Sequence, residues 1–252
     1  MDFCNQIGIN DLINKTPTMK FKEISGKIGN FKENESFIKK NNESFENKTK
    51  RTQERIIEPE KEKKLEVLKK KINEQALSIK ETATNFVFSD GNINSKIMFI
   101  SDAPGSEEDR CGIPFSGNEG KLLSLMLSYI GLNKKNCYFT NLIFWRPPGN
   151  RVPSKEEIQV CLPFTEEHIE IINPELIILM GGIASNSILN CSERVTKLRG
   201  REFSCKIKAK RIKAHVIFHP SFLLNNPIEK KRTWFDLTRI SKIIENEKYR
   251  YY

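Results

Sequence analysis

Lys96-Ile97-Met98-Phe99-Ile100 runs without a break into Ser101-Asp102-Ala103-Pro104-Gly105, and this junction decides how the rest of the chain reads. A short apolar run stopped by Pro-Gly is a buried strand closed by a loop rather than a piece of helix. Three further runs repeat the pattern: Cys137 to Thr140 (CYFT), Leu176 to Met180 (LIILM) and Ala214 to Phe218 (AHVIF). Amphipathic stretches follow them at Lys121 to Ile130, Ser154 to Ile172, Ala184 to Leu189 and Glu229 to Ile244, and another, Glu60 to Thr82, precedes them all. Strands alternating with helices predict an α/β fold, a three-layer α/β/α sandwich around a central parallel four-stranded sheet. Ligands of such sheets bind beyond the carboxyl ends of the strands, which is where functional residues should collect.

They do collect there. The first strand delivers Asp102 and continues to Glu108-Asp109 and then Gly112-Ile113-Pro114-Phe115-Ser116-Gly117. The second ends in Thr140-Asn141 and leads to Trp145-Arg146-Pro147-Pro148-Gly149-Asn150-Arg151, and the last ends in His219-Pro220-Ser221-Phe222-Leu223-Leu224. Each residue alone has an ordinary explanation: a turn or cap for Asp102, backbone satisfaction for Asn141, a structural hydrogen bond for His219, solvation for the arginines. A carboxylate, an amide and an imidazole brought to one rim favour a shared task.

The 252 residues hold 42 Lys and Arg against 32 Asp and Glu, a net charge of +10. That excess suits a polyanionic partner, although a solvated lysine-rich surface would look the same. Six cysteines without a Cys-x-x-Cys pair argue against a disulfide framework, and no apolar run is long enough for a membrane span. Met1 to Leu12 lacks the features of a secretory signal. A soluble, cytoplasmic protein is expected, with no membrane association. Residues 1–59 are dominated by Lys, Glu, Asn and Ser and read as a largely disordered extension, with a short helix conceivable in Met1 to Ile13; 60–252 read as the folded domain.

The motifs Asp-Ala-Pro-Gly-x-x-Glu-Asp, Gly-x-Pro-Phe-x-Gly, Thr-Asn-x-x-x-Trp-Arg-Pro-Pro-Gly-Asn-Arg and His-Pro-Ser-Phe-Leu-Leu, in this order, resemble those of family 4 uracil-DNA glycosylases. The resemblance spans roughly Glu60 to Ile244. It implies hydrolysis of the N-glycosidic bond of deoxyuridine in DNA, leaving an abasic site for base excision repair, by a monomer whose partner is uracil-containing DNA. It assigns catalysis to Asp102 and His219, with Glu108 as a second carboxylate that orients water or braces its loop. It assigns base binding to Phe115, Asn141 and Ala103. DNA contacts fall to Arg146, Arg151, Ser221 and Arg199, and Phe222, Leu223 and Leu224 form the wedge that enters the duplex. A weakly active uracil-binding or damage-binding module is the alternative, and a flavodoxin-like reading of Gly181-Gly182 has little support because no phosphate-binding glycine pattern follows the first strand.

Three departures stand out. Many relatives hold a four-iron, four-sulfur cluster on four cysteines; the matching positions here are Glu74, Leu77, Trp145 and Cys161, so only Cys161 could serve and no cluster is expected. Ser101-Asp102 replaces the usual Gly-Glu, withdrawing the carboxylate by roughly 1.5 Å. Ser116 and Glu119 replace the Val and Ala usual in the Phe115 motif.

Overall fold

The computed structural model describes residues 59–247 and 249. The extension expected over 1–59 and the helix conceivable in Met1 to Ile13 lie outside them, except for Pro59, which opens the first helix. The sheet comprises β1 (Ser89–Gly91), β2 (Ile97–Ser101), β3 (Tyr138–Asn141), β4 (Leu176–Met180), β5 (Glu202–Ile207) and β6 (Lys210–Ile217), in the order β1-β3-β2-β4-β6-β5. The four expected strands are the central, parallel ones. β1 and β5 extend them as antiparallel edges, so the sheet has six strands and not four. Edge strands face solvent and carry mixed sequences, which is why Ser-Asp-Gly and Glu-Phe-Ser-Cys-Lys-Ile lack the continuous apolar signal of β2 and β4.

Nine α-helices are described, α1 (Pro59–Asn73), α2 (Ile79–Thr82), α3 (Ser106–Cys111), α4 (Gly117–Ser128), α5 (Lys155–Ile172), α6 (Gly182–Leu189), α7 (Val195–Leu198), α8 (Pro220–Asn225) and α9 (Glu229–Asn246), with a 3-10 turn at Pro148–Asn150. The stretch expected as one helix from Glu60 to Thr82 is split into α1 and α2. The break lets Ile72 and Ile79 both enter the core, and Lys80 Nζ bonds the Gln75 carbonyl across it at 3.1 Å. Ser154 caps α5 by accepting from the Glu157 N–H, while the Glu157 carboxylate accepts from the Ser154 N–H.

Alternation along the strands builds two cores. Met98, Ile100, Tyr138, Ile177 and Leu179 face one side, against Leu68 and Ile72 of α1 and Cys161 and Ile169 of α5. Ile97, Phe99, Phe139, Ile178 and Met180 face the other, against Met126 and Leu127 of α4 and Leu237 and Ile240 of α9. The three layers follow from this division. The parallel register then levels the strand ends: Ser101 pairs with Asn141 and with Met180, and Met180 pairs with Ile217.

Candidate active site

Because the strand ends are level, the residues just past them share a rim. Asp102 follows β2 and is partly buried against the start of α6, where its Oδ1 accepts from the Ala184 N–H at 2.7 Å. Burial raises the carboxyl to about 6, and the first-turn amides of Ala184, Ile183 and Gly182 oppose that rise. Gly181 makes this seat possible: its φ is +102°, and a Cβ there would stand 2.3 Å from Asp102 Oδ2.

His219 caps α8. Its Nδ1 accepts from the Ser221 N–H at 3.1 Å and lies 2.6 Å from the Ser221 hydroxyl, while Nε2 lies 2.6 Å from the Ser101 hydroxyl. An Nδ1 that accepts a backbone proton places the proton of the neutral ring on Nε2. Burial lowers the imidazole to about 4, so the ring is neutral near pH 7.

Asn141 ends β3 and is fully buried, and neither its Oδ1 nor its Nδ2 has a hydrogen-bond partner among the described residues. An unpaired amide in such a place costs about 1–3 kcal/mol unless a ligand satisfies it.

Phe115 holds a left-handed backbone, φ +55°, a conformation a bulky residue adopts only when its surroundings impose it. Two contacts impose it. Its N–H bonds to Glu108 Oε1, and its carbonyl presses against Gly120, where a Cβ would come within 1.6 Å. The ring meets Phe139 edge-on at 5.6 Å. Glu108 also accepts from the Gly105 N–H at 2.9 Å, so this carboxylate, raised to about 7 by burial, braces the loop that carries Phe115 and does not line the cleft.

A cleft of about 640 Å³ gathers Asp102, Ala103, Glu119, Arg151, His219 and Phe222. Phe115 lines a separate pocket with Leu123 and Phe139, and Asn141 lines neither, being sealed beneath the rim. The wedge expectation divides. Phe222 and Leu224 are exposed on α8, whereas Leu223 is buried among the residues between α4 and α9, so Leu223 is a core residue and not part of a wedge. The expected phosphate contacts are held in place internally: Arg151 forks onto Glu157 at 2.7 and 2.9 Å, Arg199 pairs with Asp236 at 2.8 Å, and Arg146 Nε donates to Asn150 Oδ1 at 2.7 Å. Ser101 as a partner of His219 was not foreseen. Only its replacement of a glycine was visible in the sequence.

The family model for the uracil DNA glycosylase superfamily matches residues 88–239, a span that contains every residue of this rim. The chain belongs to that superfamily. Within it, the chain resembles type-4 uracil-DNA glycosylases. That of Thermotoga maritima is 38% identical over 57% of this chain and 73% of its own, and that of Sulfurisphaera tokodaii is 35% identical over 69% and 83%. That of Archaeoglobus fulgidus is 34% identical over 65% and 84%.

The positions that hold the iron–sulfur cluster in many type-4 uracil-DNA glycosylases do not fit one here. Glu74 is exposed, Leu77 packs against the core, and Trp145 is buried with its ring 5.0 Å from Phe86 and Lys80 Nζ 5.4 Å above it. Cys161 is buried and is the one thiol among these four positions, where a cluster needs close to a full set of thiolates. Among the described residues no group of three or more His, Cys, Asp or Glu could hold a metal ion.

Proposed function

We propose that this protein hydrolyses the N-glycosidic bond of deoxyuridine in DNA. The observation that carries the reading is the sealed, unpartnered carboxamide of Asn141, level with Ser101 and beside the rim that holds Asp102 and His219. A side-chain amide offers one acceptor and two donors, which match N3–H and O4 of uracil; cytosine presents the reverse pattern and leaves the buried amide unpaired.

The base is turned out of the duplex because the reacting carbon is inaccessible while it remains stacked. Phe115 supplies the face against which it rests. The Nε2–H of neutral His219 donates to O2, where negative charge gathers as the base departs. Asp102, ionised above its raised pKa, steadies the cationic sugar and orients the water. The C1′–N1 bond breaks with its electron pair on the base, hydroxide from water joins C1′, and the remaining proton ends on the base. Phe222 and Leu224 fill the gap in the duplex. Arg146, Arg151 and Arg199 present positive charge to the phosphates, and Ser221 keeps His219 in its tautomer.

The protein is proposed to act as a cytoplasmic monomer on uracil-containing DNA, without an iron–sulfur cluster. No helix among the described residues is long and apolar enough to cross a membrane. One observation favours the second reading, a uracil-binding module with little turnover: the Asp102 carboxylate is engaged by the amides of α6.

An oligonucleotide with one uracil decides between them. Incubation should yield an alkali-sensitive abasic site, and Asn141→Asp should shift base choice toward cytosine. Binding without strand scission after alkali would leave only the binding module.

A further inference from the structure

We infer that Ser101 is a positioning residue for His219, fixing its ring plane and Nε2–H tautomer in the free protein so that the carbonyl oxygen of the flipped base can share that proton with the Ser101 oxygen; this rests on the uracil reading above. Ser101 ends β2 and is buried. Alternation puts it on the same sheet face as Ile97 and Phe99, the face that Phe139 and Asn141 share across the register. Its hydroxyl therefore lies on the same side of the sheet as the Asn141 amide, at the next strand over.

The bond geometry fixes the direction of the contact. Nδ1 of His219 takes the Ser221 N–H, so Nε2 is the protonated nitrogen and the Ser101 oxygen, 2.6 Å away, is its acceptor. Held at both nitrogens, the ring cannot rotate about χ2 without losing a bond. Among the described residues, His219 is the sole hydrogen-bond partner of the Ser101 hydroxyl, which leaves its own proton without an acceptor. A buried hydroxyl with a free proton and a buried amide with no partner at either end, at paired positions of adjacent strands, leave polar atoms unmet on one face of the sheet.

Sequence adds an independent point. The resemblance described above implies glycine where this chain has Ser101, and a glutamate one methylene longer where it has Asp102. A glycine offers His219 no side-chain partner, so this clamp belongs to the present chain rather than to the pattern it otherwise follows.

The test compares wild type, Ser101→Ala and Ser101→Thr in single-turnover uracil release, alongside ¹⁵N and ¹H spectra of the His219 ring. Ser101→Ala should lower the maximal rate constant on the order of 10- to 100-fold, the effect of a misaligned donor, with little change in the enzyme concentration giving half-maximal rate. Ser101→Thr, which keeps the hydroxyl, should recover most of the rate. In the free wild type the spectra should show a protonated, hydrogen-bonded Nε2 whose proton resonance moves upfield in Ser101→Ala. An equal or faster rate in Ser101→Ala, or a wild-type Nε2 that carries no proton, would overturn the inference. A wild type that releases no uracil counts against the proposed function instead, and the ring spectra then decide the role of the serine by themselves.

Discussion

Two buried corners of this domain leave polar atoms unpaired to different degrees. At the rim, Asn141 keeps both ends of its amide unpaired and Ser101 keeps a free proton, while Phe115 holds a left-handed backbone nearby. In the corner bounded by α1, α2 and α5, Phe86 packs on Phe88 at 5.7 Å and on Trp145 at 5.0 Å, and Phe88 stacks on His168 at 4.5 Å. His168 there is neutral, lowered to about 3 by complete burial, and its Nε2 meets the Tyr138 hydroxyl at 2.7 Å, although Nδ1 has no partner. The first corner stores unmet hydrogen bonds beneath a cleft, and the second fills its volume with rings around one unpaired imidazole nitrogen. Free energy left unsatisfied in one place, in convergent groups, is the physical mark of a ligand site, whereas a filled corner is a mark of stability.

The largest expected effect tests the filled corner. Trp145→Ala should destabilise the protein by about 3–5 kcal/mol, because the ring leaves a cavity its neighbours cannot close. Chemical denaturation measures this, and the fraction that remains folded should still release uracil at the wild-type rate. Iron chelation should leave the wild-type transition where it was. A transition that moves with the chelator would show that a metal, and not the aromatic packing, ties this corner together.

The second effect belongs to the rim. Burial raises Asp102 to about 6, so its charged form prevails above that pH and is lost below it. If the charged form steadies the sugar cation, the rate should fall by about tenfold per pH unit below 6. His219, lowered to about 4, stays neutral through this window and keeps its Nε2–H. Asp102→Asn should therefore give a low, flat profile. A limb that persists in that variant would instead report Glu108, raised to about 7, losing its hold on the Gly105 and Phe115 amides as it is protonated.

What could be read in advance follows from how local each cause is. β2 and β4 were legible because a central parallel strand must be apolar on both faces, and their sequences are. β5 alternates Phe203, Cys205 and Ile207 inward with Glu202, Ser204 and Lys206 outward, a period-2 signal hidden by its charges and its place at the edge. Asp102, Asn141 and His219 could be placed on one rim because each directly follows or ends a strand. The bond between Ser101 and His219 could not, since it joins residues 118 positions apart and depends on the register of four strands. Glu108 was legible as a family carboxylate, but its turn toward the backbone depends on the conformation of the Phe115 loop.

The smallest effect concerns α8, where three successive apolar residues read alike in sequence. Successive helical residues point about 100° apart, so one short helix cannot aim Phe222, Leu223 and Leu224 the same way. Leu223 takes the inward direction, while Phe222 rests its ring 4.8 Å from Phe218 at the cleft wall and Leu224 faces solvent. Leu224→Ala should shift unfolding by no more than about 0.5 kcal/mol, and Phe222→Ala, which gives up the ring contact with Phe218, by about 1 kcal/mol. Their effect should appear only where a stacked duplex has to be opened: uracil release from double-stranded DNA should slow, and release from single strands should not. Equal slowing on both substrates would mean that these side chains serve the cleft itself rather than the duplex.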